Sequence, residues 1–131
     1  MRTEEFSDGA GGYCVTTTDN GEEFILSQQF KEGTHGVGVA VERIVHEMNT
    51  IPTIGARFVM LKRGIEVEQM GMRLTSKAPA CSAIVKREYG VRKGLSKRKT
   101  GIAFELLLEL ARMLYQERQE EEAPMEYEVV R

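Results

Sequence analysis

"IGARFVMLKRGIEVEQMGMRL", residues 54–74, sets the architecture of this chain according to how it is taken. From Ile54 to Leu61 the β-branched, aromatic and long apolar residues have the composition of a strand. A strand over 55–62 is therefore expected. Lys62, Arg63 and Gly64 then form a turn signal, with a second strand running through Ile65 and Val67. A helix opening near Glu66 is the competing reading.

Upstream, "YCVTTTDNGEEFILSQQF", residues 13–30, has the pattern of a hairpin. Tyr13, Val15 and Thr17 alternate before Asp19-Asn20-Gly21, and Phe24 and Leu26 alternate after it. Asn-Gly is a strong turn signal because both central residues of a tight hairpin turn need positive φ. Strands are expected near 13–18 and 22–28. Next, Val37, Val41, Ile44, Val45 and Met48 repeat with the period of an amphipathic helix. Thr34 fits its N-cap, and Asn49 with Pro52 ends it. Gly36 and Gly38 weaken the first turn and favour a start near Val39. The rival is a strand through Val37, Val39 and Val41.

Downstream, Pro79 and Gly90 bracket a helix over 79–89. Proline suits a first helical position, and glycine suits a left-handed C-terminal residue. Ala80, Ile84, Val85 and Tyr89 give it an apolar face. A longer helix is expected over 100–120, where Ile102, Leu106, Leu107, Leu110, Met113 and Leu114 make a broad apolar stripe. Phe104, Leu108, Ala111 and Tyr115 widen it almost to a full wrap. Residues 1–11 read as a lead-in that Gly9 denies regular structure. Residues 121–131 are an acidic tail broken by Pro124, with a short strand at 127–130 as an alternative to disorder. Between them lies one domain, 12–120.

These pieces imply an α+β fold, with a short antiparallel sheet packed against two or three helices. The size supports a single core: there are 131 residues, 41% of them apolar and 29% charged, in the ordinary globular range. No run approaches the ~18 apolar residues of a membrane span. The polar N-terminus lacks the apolar core of a secretory signal. Cys14 and Cys81 are far apart and are expected as free thiols in a cytoplasm.

The net charge of −2 excludes recruitment of a polyanion by a global field. The local pattern is different. Lys86, Arg87, Arg92, Lys93, Lys97, Arg98 and Lys99 crowd one segment, opposed there only by Glu88. Lys97, Arg98 and Lys99 fall at the start of the long helix, where the macrodipole repels cations. A phosphate at that end would relieve the repulsion, and Gly94 and Ser96 would let backbone approach it. The expectation is a non-catalytic binding module that contacts a phosphate-bearing partner, nucleic acid backbone, with weak sequence preference. The bland alternative is a solvated loop neutralised by Glu22, Glu23 or the tail. A helix-turn-helix fits poorly, because the connection is too long and the second helix too apolar.

Excess apolar surface on the long helix suggests a homodimer through Leu107, Leu108, Ala111 and Tyr115. A protein-interaction or structural accessory module of phage or mobile-element type, using that helix, is the second functional expectation. His35, His46, Cys14 and Cys81 lack metal-ligand spacing, so no metal and no cofactor is expected. Cys81 sits among small packing residues with no nucleophile motif around it. The glycines of 33–42 match neither a P-loop nor a dinucleotide fingerprint.

Overall fold

The computed structural model describes residues 2–4, 15–17, 21–30, 34–72 and 79–130. Four α-helices dominate it: α1 (Thr34–Thr50), α2 (Ile54–Gln69), α3 (Cys81–Tyr89) and α4 (Lys97–Val130). The strands are three residues each, β1 (Arg2–Glu4), β2 (Val15–Thr17) and β3 (Glu23–Ile25). They pair antiparallel in the order β1-β2-β3, with Arg2 opposite Thr17 and Thr17 opposite Glu23. A 3-10 turn, Leu26–Gln29, follows β3 and rests on α1 and α4.

This overturns the α+β expectation. The body is helix packed on helix, and the nine strand residues form no layer for helices to cover. The decisive correction is at 54–74. Where a strand over 55–62 was expected, the chain is α2. Ile54, Phe58, Leu61, Ile65 and Glu68 are buried, at steps of four, three, four and three. That is the helical period. The other apolar residues of this stretch face outward: Val59 is 62% and Met60 49% exposed. A helix with two apolar faces has no clean amphipathic signal, and its composition passes for strand.

Helix α1 starts at Thr34 and not near Val39. Gly36 within its first turn is there for contact. A Cβ at that position would lie 2.7 Å from Phe30 Cβ, closer than packed carbons tolerate. Within the expected lead-in, Arg2–Glu4 is strand. Backbone helix also runs through 127–130, where a strand was the alternative. Residues 73–78 and Cys14 lie outside the described residues.

Helix α4 runs through the middle of the fold and packs on α1, α2 and α3. That explains its wide apolar wrap: a helix packed on three others buries more than one face. Ala103, Phe104, Leu106, Leu107, Leu108 and Ala111 are buried together. Phe104 is the centre. Its ring meets Phe58 of α2 edge-on at 6.2 Å and stacks on Tyr89 of α3 at 5.7 Å.

Candidate functional site

Helix α3 begins without a side-chain cap of its own, since Ala80 is the N-cap residue. Pro79 stands one position before that cap, outside the first helical turn. The missing cap comes from another helix. Glu68 of α2, buried, accepts from the Cys81 N–H at 2.5 Å, the Ser82 N–H at 3.4 Å and the Ser82 hydroxyl at 2.5 Å. A carboxylate there also meets the positive end of the helix dipole. Burial and then the Glu68 charge push the Cys81 thiol above its ordinary range. It stays protonated and is a poor nucleophile.

At its other end α3 closes on Gly90, left-handed at φ +78°, whose N–H donates to the Lys86 carbonyl. The chain then turns back. Val91 bridges Phe30, and the Arg92 N–H donates to the Gln29 carbonyl at 2.9 Å. Residues 92–95 follow as a loop, and α4 starts at Lys97.

The fold divides the basic segment. Lys86 donates its ammonium to the carbonyls of Lys93 and Leu95, at 2.8 and 2.6 Å, and so holds the loop closed. Arg92 reaches the Gln29 side-chain oxygen at 3.3 Å. Arg98 and Lys99 approach Glu22 at 3.5 and 3.9 Å. The start of α4 is capped by Ser96, whose hydroxyl accepts from the Lys99 N–H at 3.2 Å. Arg98 and Lys99 at this helix end thus meet an internal carboxylate, and the helix start has an internal cap. Arg87, Lys93 and Lys97 are exposed, with no side-chain partner among the described residues. The seven cations thus differ in their partners, and nothing in this arrangement supports nucleic-acid binding.

The expected dimer face is also corrected. Leu107, Leu108 and Ala111 are buried inside the domain, and Tyr115 is half-buried beside them. These residues of α4 are used by its three neighbours, and nothing supports a homodimer through them.

Among the described residues, two concavities and one exposed face stand out. A groove of about 420 Å³ between α1 and α4 has Val37, Val41, Leu110, Met113 and Leu114 along it. Beside it Arg118 holds Glu42 with two hydrogen bonds, at 2.6 and 3.1 Å. That guanidinium lowers the Glu42 pKa below the usual carboxylate value. A smaller cleft, about 260 Å³, lies between α1 and the end of α3 and includes Arg43 and Arg87. Arg43 donates to the Glu88 carbonyl at 2.7 Å and lies 5.7 Å from the Tyr89 ring centre. The Glu88 carboxylate turns to Arg57 at 2.7 Å, which raises the Arg57 pKa further.

The exposed face belongs to α2. Opposite its core stripe stand Val59, Met60, half-buried Val67 and Met70, which is 70% exposed. Arg63 sits in the middle of them, with no side-chain partner among the described residues. The sequence held the signal for both faces, because Val59, Met60 and Val67, between the buried positions, are themselves apolar. Among the described residues no group of histidine, cysteine and carboxylate side chains is placed to hold a metal ion, and no helix is long and apolar enough to cross a membrane. No family model, curated protein or solved structure matches this chain.

Proposed function

We propose that this protein is a non-catalytic interaction module, acting in the cytoplasm, that docks a partner protein on the outward face of α2. The observation that supports this is the second apolar stripe on a helix whose first stripe already fills the core. Single exposed apolar residues are ordinary. Here Val59, Met60 and Met70 share one side of one helix, and a contiguous patch of that kind marks an interaction surface. Methionine side chains suit it, being flexible and polarizable enough to repack against a partner.

The charge within the stripe defines that partner. Arg63 stands among apolar neighbours, so the complementary surface is an amphipathic helix with a carboxylate opposite Arg63. Such a pair would be partly dehydrated on docking, where charge-assisted hydrogen bonds are strongest. A free thiol at Cys81 is in keeping with the cytoplasmic setting. The elevated Cys81 pKa is in keeping with a module that does no nucleophilic chemistry.

A photo-reactive benzophenone residue in place of Met60 tests this in the cell that makes the protein. The expected result is one heteromeric adduct, lost when Arg63→Glu is added and regained when the partner's facing carboxylate is changed to lysine. Adducts no different from those formed from exposed Gln116, or adducts indifferent to Arg63→Glu, contradict the proposal.

A further inference from the structure

We infer a second site, independent of the α2 face: the cleft between α1 and the end of α3 takes a small phosphomonoester, held between Arg43 and Arg87. These two arginines come from helices far apart in sequence and line the same cavity of about 260 Å³.

The charges there do not cancel. Arg87 is exposed and its side chain has no partner among the described residues. Arg43 donates to the Glu88 backbone carbonyl, a neutral acceptor, so its charge stays available. The one carboxylate among the lining residues, Glu88, is held by Arg57. Glu47, one turn from Arg43, turns to the Tyr89 hydroxyl at 2.8 Å with its charge intact, and it is not among the residues that line the cleft. The two arginine charges on the lining match the roughly −1.5 to −2 of a phosphomonoester at neutral pH. A carboxylate would meet only half of them.

Arg43 is also held in place. The Glu88 carbonyl and the face of Tyr89 fix its guanidinium before any ligand arrives. A positioned fork loses less freedom on binding than a mobile side chain does. Val39 and Ala40 supply the apolar part of the wall, which suits an organic body on the phosphate. The volume falls just below the ~300 Å³ at which pockets for drug-sized ligands begin, so the ligand is small.

Titration of the full chain with phenyl phosphate, followed by calorimetry and amide chemical shifts, tests this. Saturable one-to-one binding is expected, with shifts centred on Arg43, Arg87 and Gly90. Arg87→Gln should weaken it at least about tenfold, the loss of one charge-assisted contact. That side chain has no partner among the described residues, so its loss should leave the helices intact. Lys97→Gln should change nothing. Benzoate and inorganic phosphate should both bind at least about tenfold more weakly than phenyl phosphate. Benzoate binding as tightly would show a carboxylate site and overturn the proposal. So would inorganic phosphate binding as tightly, binding unaffected by Arg87→Gln, or no saturation by about 10 mM ligand.

Discussion

Glu68 and Tyr89 show how much single polar groups carry in this fold. The Glu68 carboxylate takes three donors at the start of α3 and ties that helix to α2. Glu68→Ala should cost about 1–3 kcal/mol, the usual loss when buried donors are left unpaired. Ser82→Ala should cost about 1 kcal/mol, because the two N–H groups keep their acceptor. Urea denaturation of both variants measures the difference. Tyr89 is buried against Phe104, with Arg43 and Glu47 of α1, Arg57 of α2 and its neighbour Glu88 around it. Burial first, and then the hydrogen bond to Glu47, push its hydroxyl pKa far above the ordinary tyrosine value. Folded protein therefore keeps a proton that the unfolded chain releases near pH ~10. Stability conferred by Tyr89 is complete below that pH and is lost as pH rises toward the folded value. Tyr89→Phe should be less stable at neutral pH by about 1 kcal/mol. Its deficit should shrink or reverse above pH ~10, as thermal melts across alkaline pH would show. Neither role could be read from the sequence: the partners lie 13 and 42 positions away.

The elements differ in how far local signals reach. Helix α3 was legible because glycine supplies its left-handed end, a requirement met within the helix itself. Helix α1 was legible through its apolar period, but its start was not. Glycines lower helix propensity, and the reason for Gly36 is its contact with Phe30. Gly36→Ala would gain about 1 kcal/mol of helix propensity. The clash with Phe30 Cβ should outweigh that, leaving the variant less stable by about 1–2 kcal/mol in a denaturant titration. Helix α2 was misread for a different reason. Strand composition and helical period were both present over 54–69, and the second apolar face hid the period. Helix α4 was legible as a helix, yet its wrap was taken for a partner surface because the sequence does not show that three helices surround it. The basic segment was visible as a run of charge, but its division among Glu22, Gln29 and loop carbonyls is set by the tertiary fold.

At the scale of the molecule, α4 is the shaft on which α1, α2 and α3 are mounted, and Phe104 joins α2 to α3 across it. Phe104→Ala should cost about 3–5 kcal/mol, enough to threaten a domain whose total stability is of the order of 5–15 kcal/mol. The same packing decides which surfaces are left for partners. With most of the α4 stripe covered, an apolar excess emerges on α2, and Arg87 of the basic segment meets α1 at a small cleft. The docking face proposed for this protein depends on α2 being a helix that turns one apolar stripe inward and another outward. A paired substitution separates this from a strand most directly. In a strand, Val59 and Leu61 would share a face and respond alike; in α2, Leu61 is fully buried and Val59 points to solvent. Equilibrium unfolding of Leu61→Ala and Val59→Ala, measured side by side, should give a loss of about 2–5 kcal/mol for the first and within about 0.5 kcal/mol of no change for the second. Comparable losses at the two positions would contradict the account.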